Sequence, residues 1–239
     1  MPERSRIKNK MGFSLFENKI GINFKDKNLL KQAFVHRSYL NENRDFPLGH
    51  NERLEFLGDA VLELVVTEDL YSRFPEKNEG EMTSLRSALV NANTLHLVAN
   101  NLGVNGFLLL SRGESKDTGR ARQYILANTI ESIIGSIYMD QGYEAAKKFV
   151  HDHITPLIEA IISEGSFMDA KSTFQEKSQD EYGITPVYKT IKESGPDHDK
   201  KFTIGVFIGD QPIASGEGDS KQDAEQEAAR KALKKKNWM

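Results

Sequence analysis

The stretch HNERLEFLGDAVLEL, His50 to Leu64, constrains this chain more than any other because it sets four carboxylates among a run of large apolar residues. Glu52, Glu55, Asp59 and Glu63 follow one another at spacings of three, four and four. On a helix advancing about 100° per residue they share one narrow stripe. Leu54, Phe56, Leu57, Val61, Leu62, Leu64 and Val65 cover most of the remaining surface, which predicts a buried helix. Like charges four residues apart repel, and carboxylates against apolar walls are costly unless protonated, paired or bound to metal. The neighbouring sequence offers only Arg53, about 100° around the helix from Glu52. For Glu52 and Glu63 taken singly a solvated helix surface is a sufficient account. For Glu55 and Asp59 together it is not.

A partner for the stripe occurs in ILANTIESIIGSIYMDQG, where Asn128 and Glu131 lie three apart on an otherwise apolar helix. Two such helices packed together form an oxygen-only site. Hard oxygen ligands without Cys or His suit Mg2+ or Mn2+ rather than zinc. Sites of this kind handle phosphates, one metal activating water and the other stabilising the leaving oxygen.

From Leu15 to about Ile162 the apolar periodicity is helical, interrupted by polar loops such as ENRDFPLGH and SRGESKDTGR. NLLKQAFVHRSYL, TSLRSALVNANTLHLVANNLG and RQYILANTIESIIGSIYMDQG are each long enough for a helix, the last two ending near Gly103 and Gly142. The small, polar stretch that begins at Ser163 marks a linker, placed at 163–169 between an all-α domain over 1–162 and a second domain over 170–239. In the second, STFQEKSQDEYG reads as a helix closed by Gly183 and PVYKTIKESG as a strand. Phe202, Ile204, Val206 and Ile208 alternate as a half-buried strand should, and IASGEG forms a third. Asp219 or Ser220 then caps SKQDAEQEAARKALKKK, whose lysines suit a helix C-terminus. The order is α-β-β-β-α.

The formal charge of -3 carries no global sign of a nucleic-acid binder, although a basic face can hide in a neutral total. Residues 169–239 hold 12 basic and 13 acidic side chains, net -1. Cysteine is absent, which excludes disulfides and thiolate metal sites and suits a reducing compartment. No apolar run approaches 18 residues, and the first residues lack the apolar core of a signal peptide. A soluble, cytoplasmic protein with no membrane partner is the expectation.

HNERLEFLGDAVL resembles the signature of the ribonuclease III family, AFVHRSY at Ala33 to Tyr39 its upstream motif, and LRSALVNANTL and ILANTIESIIGSIYMDQG its later helices, in the family's order. The tail resembles the double-stranded-RNA-binding domain that follows in bacterial members. The resemblance implies a magnesium-dependent endoribonuclease that cuts double-stranded RNA to 5′-phosphate and 3′-hydroxyl ends. It also implies a homodimer of nuclease domains, and roles such as ribosomal RNA precursor maturation and duplex decay. Carried over by position, Glu55, Asp59 and Glu131 are metal-binding catalytic carboxylates and Glu52 an acidic position that organises substrate and site. Phe56 is either core or a side chain projecting into the partner subunit.

The fourth family position is normally aspartate and here is Asn128. An amide oxygen still ligates a hard cation but brings no charge, so metal affinity should fall. Two other readings stay open. One is a silenced nuclease that binds duplex RNA without cutting it. The other is a helical hydrolase acting on small phosphates, against which the tail speaks. In the tail, Lys221 matches a phosphate contact at the start of the last helix, followed by Gln222 where the family usually continues the lysine run, which predicts weaker, less salt-sensitive binding. His198 matches a minor-groove contact from the loop between the first two strands, and Gln175 and Glu176 match positions on the first helix that read the next minor groove.

Overall fold

The computed structural model describes residues 3–164, 170–196 and 200–238, and their side chains apart from those of residues 3–11 and 164. The chain divides into two compact units, 1–167 and 168–239.

The first unit is helical: α1 (Glu3–Ile20), α2 (Lys27–Ala33), α3 (Arg37–Glu42), α4 (Glu52–Arg73), α5 (Glu79–Val90), α6 (Ala92–Asn101), α7 (Arg120–Gln141), α8 (Tyr143–His153) and α9 (Ile158–Glu164). The axis of the unit is α7, which packs on α2, α4, α6 and α8. Ile130, Ile133, Ile134 and Ile137 of α7 have no exposed surface. They meet Leu62, Val65 and Val66 of α4, buried to the same degree.

The contact between α4 and α7 is made by glycine. A Cβ added to Gly58 would stand 1.7 Å from the carbonyl oxygen of Glu131, and one added to Gly135 would stand 2.1 Å from that of Leu54. The two backbones therefore touch, and no other residue fits at either position. Because Glu55 and Asp59 flank Gly58, and Glu131 lies one turn before Gly135, this crossing fixes where the carboxylates meet.

Two stretches that read as single helices are broken. NLLKQAFVHRSYL splits into α2 and α3 because Val35 leaves the helix to form a parallel bridge with Leu109. His36 then restarts it as an N-cap, its ring accepting from the Ser38 amide. TSLRSALVNANTLHLVANNLG breaks at Asn91, which is extended (φ -71°, ψ 161°) and whose side chain accepts from the Thr94 amide. Asparagine competes with the helix at such a point by offering its own carbonyl to the next turn. By contrast, α7 stops where expected, at Gly142 with φ 83°.

The second unit runs α10 (Ala170–Tyr182), β1 (Val187–Ser194), β2 (Lys201–Ile208), β3 (Gln211–Gly218) and α11 (Lys221–Lys236). The sheet is antiparallel in the order β1-β2-β3. One face of it, through Val206, Ile208 and Ile213, packs on Ala228, Ala229, Ala232 and Leu233 of α11 and on Phe174 of α10. The alanines let α11 lie close to β3, so close that a Cβ at Gly216 would stand 2.2 Å from the Ala228 amide. Helix α9 runs to Glu164, two residues into the expected linker, and residues 165–169 lie outside those described. Among the described residues no helix is long and apolar enough to cross a membrane.

Gly58→Ala should destabilise the protein by about 1–3 kcal/mol or more, since neither backbone can yield to the new methyl without parting the helices. A urea titration checks this, and Gly106→Ala, where an added Cβ meets nothing within 4 Å, is the control.

Candidate active site and nucleic-acid interface

Where α4 crosses α7, four of the residues singled out from sequence come together: Glu55 and Asp59 from α4, Asn128 and Glu131 from α7. The Asn128 amide Nδ2 donates to Glu55 Oε1 at 2.8 Å. A carboxylate can only accept, so the amide turns its nitrogen toward Glu55 and its oxygen away. The sequence expectation made Asn128 an oxygen donor to a cation. In the structure its nitrogen holds Glu55, which leaves the expectation for its oxygen untouched.

Electrostatics bind the carboxylates as a group. Burial, with Asp59 and then Glu55 nearby, pushes the Glu131 carboxyl up to about 8. The Glu55 carboxyl is raised as well, by burial and by the charges of Glu52 and Asp59. Asp59 itself is exposed. Among the described residues no three His, Asp or Glu side chains converge on a point where an ion could be held, although these carboxylates lie close enough to raise one another's pKa. The donor chemistry nonetheless fits a hard divalent cation: oxygen alone, on two abutting helices, with mutual repulsion that positive charge would relieve.

Glu52 acts on this group through its charge on Glu55 and has partners of its own. Its carboxylate is ion-paired to Arg37 at 3.6 Å, and the His50 ring stands at the same distance. The sequence reading offered it only Arg53 and so missed both partners. His50 was within view, two residues upstream, whereas Arg37 arrives from α3 through the break at Val35. Glu63 is solvent-exposed, as a surface position should be. Phe56 is 82% exposed, which rules out its reading as core of this chain.

In the second unit Ser220 caps α11, its hydroxyl accepting from the Asp223 amide. Lys221 and Gln222 are exposed in the first turn. Lys221 is engaged with Glu193 at 3.0 Å, a partner the sequence reading did not foresee. Gln175 and Glu176 are exposed on α10 and line a groove with Ser172, Gln179 and Asp180. His198 lies outside the described residues.

This arrangement can be set beside known proteins. A family described as Ribonuclease-III-like matches residues 26–177, and the double-stranded RNA binding motif matches 170–236. The chain belongs to the ribonuclease III family. Among its relatives, Ribonuclease 3 of Leptospira interrogans is 44% identical over 229 residues, 96% of this chain and 90% of the relative. Ribonuclease 3 of Bacillus cereus is 44% identical over 236 residues, 98% and 95%. Among solved structures, the nuclease domain of Campylobacter jejuni ribonuclease III is 40% identical with a TM-score of 0.54, over 59% of this chain and 94% of that one. This ribonuclease III family chain thus carries a helical nuclease unit followed by a double-stranded-RNA-binding motif.

The raised Glu131 carboxyl has a consequence for stability. A group that binds its proton more tightly folded than unfolded favours the fold at low pH. That contribution is lost as pH rises from the ordinary carboxylate range through about 8. Glu131→Gln should therefore raise the unfolding free energy of the metal-chelated protein by about 1–3 kcal/mol at pH 8 and by much less at pH 5. Urea titrations at the two pH values check the sign.

Proposed function

We propose that this chain is a magnesium-dependent endoribonuclease that hydrolyses phosphodiester bonds in double-stranded RNA, leaving 5′-phosphate and 3′-hydroxyl ends, with Mn2+ able to substitute. The observation that carries the reading is that Glu55, Asp59 and Glu131 lie near enough at the glycine crossing for their charges to act on one another, in a chain whose second unit is an RNA-binding motif. Glu55, Asp59 and Glu131 would hold the cation, with the Asn128 amide oxygen as an auxiliary ligand, and the cation when bound supplies activated water and stabilises the leaving oxygen.

The residues themselves divide the remaining work. Glu131, pushed up to about 8, holds a proton at neutral pH until positive charge displaces it. Asp59, exposed at the rim, stays accessible to solvent and substrate. Asn128 locks the Glu55 rotamer through its amide and contributes no charge, which favours a higher magnesium requirement over loss of chemistry. Glu52, steadied by Arg37 and His50, is placed to orient the RNA beside the site. Gln175, Glu176, His198, Lys221 and Gln222 would grip the duplex by its shape and backbone rather than its sequence.

The proposal extends to a homodimer of nuclease units, each cutting one strand. Phe56, a large aromatic side chain left 82% exposed on α4, supports it. So does the Campylobacter nuclease domain, which is described as having a region involved in dimer formation. Work on ribosomal RNA precursors and other duplex transcripts in the cytoplasm completes the reading, and the absence of cysteine suits that compartment.

The test is cleavage of a long, end-labelled RNA duplex across a magnesium and manganese series. Cleavage should occur and should vanish in Glu131→Ala. Asn128→Asp should lower the magnesium concentration for half-maximal cleavage by about an order of magnitude, the added charge strengthening the site. Tight binding with no cleavage by either form at any metal concentration would leave an RNA-binding protein on a nuclease scaffold. For the dimer, Phe56→Ala should shift the sedimentation profile of the full chain toward the monomer at a given concentration.

A further inference from the structure

Cations at the start of α11 are scarce. Between Ser220 and Arg230 the sequence is KQDAEQEAA, so Lys221 is the lone positive side chain against Asp223, Glu225 and Glu227. Lys221 is itself engaged. Its ammonium lies 3.0 Å from Glu193 Oε1, while the other oxygen of the same carboxylate lies 3.3 Å from Lys200. The sheet register brings this about. Glu193 at the end of β1 pairs with Phe202 of β2, and Phe202 pairs with Gly218 of β3, next to the α11 cap. The ends of all three strands and the start of α11 therefore meet at one corner of the unit, where Lys201 is also paired with Asp219.

We propose that Glu193 sets the affinity of this unit for duplex RNA, because it holds Lys221 and Lys200 in ion pairs that the RNA phosphates must displace. The proposal rests on the reading of Lys221 as a phosphate contact. Glu193, Lys221 and Lys200 are all solvent-accessible, so each pair is individually weak. The phosphate contacts that replace them are also exposed charge contacts, and the two are comparable in size. Exchange of one partner for the other gains little and releases fewer counterions than contact by a free lysine. The two hydrogen bonds to lysine hold the Glu193 carboxyl below the usual carboxylate range. Glu193 acts here on affinity through the lysines and makes no contact with the reacting atoms.

The experiment is a fluorescence anisotropy titration of the full chain, metal chelated, with a labelled duplex of about 16 base pairs, the span of one such motif. It compares wild type, Glu193→Gln, Lys221→Ala and the double variant across a salt series. Glu193→Gln is expected to bind about two- to fivefold more tightly at low salt, the range of an exposed ion pair. Its plot of log Kd against log salt should be steeper by up to about one contact. In the Lys221→Ala background the gain should shrink by at least half. Unchanged affinity and slope in Glu193→Gln, with Lys221→Ala still weakening binding, would overturn the role given to Glu193 while leaving the phosphate contact standing. An equal gain with and without Lys221 would overturn the ion-pair mechanism. If the double variant binds as tightly as Glu193→Gln, so that Lys221 adds nothing even when released, the phosphate reading itself fails. A change in slope separates this role from a merely structural one, because lost packing weakens binding at every salt concentration alike.

Discussion

Everything at the nuclease site depends on two backbones touching. Helices carrying ordinary side chains lie 8–10 Å apart, far enough that carboxylates on their flanks each find water. Gly58 against the Glu131 carbonyl, and Gly135 against that of Leu54, remove that gap. The acidic residues are then drawn to a shared apolar seam, and burial becomes the largest influence on both Glu131 and Glu55. The paradox of a greasy helix carrying a carboxylate stripe thus has a geometric answer. The stripe lies along the edge of a contact that exists for reasons of packing, and its charges remain uncompensated by any lysine or arginine among the partners described for Glu55, Asp59 and Glu131.

Asn128 modifies this field in a specific way. With aspartate at that position, a fourth negative charge would face Glu55 where the amide now donates a hydrogen bond. Asparagine relaxes the repulsion and fixes one rotamer, and both effects favour the protein without metal. The same substitution removes charge from the set available to a cation. Stability and metal affinity are therefore set against each other at a single atom position, a familiar compromise where a binding site is built from groups that repel.

Much of this was legible in the sequence because it is periodic. The stripe on α4, the Asn128–Glu131 pair on α7 and the alternating residues of β2 all follow from helix and strand geometry, and their spacing survives folding unchanged. Four things did not show. The breaks at Val35 and Asn91 come from a long-range bridge and a side-chain cap, and neither disturbs the apolar pattern that marks a helix. Arg37 and His50 answer Glu52, and Arg37 does so across a turn that only the Val35 bridge creates. Residue type left Phe56 open between core and a side chain projecting outward, and only its direction on α4 places it in solvent. The pairing of Lys221 with Glu193 was hidden for a similar reason, since strand register rather than sequence proximity brings them together.

The pairing of cations with acids at the corner of the RNA-binding unit bears on how fast an encounter can begin. Long-range attraction toward a polyanion scales with the field that reaches beyond about a Debye length of 10 Å, and lysines already neutralised by Glu193 and Asp219 contribute little to it. Association then proceeds nearer the rate of an unsteered collision, and selectivity shifts to how long a complex survives once formed. A unit of this kind samples many duplexes briefly and lingers only where the groove shape fits. In a chain that joins such a unit to a nuclease, discrimination falls on dissociation rather than on capture.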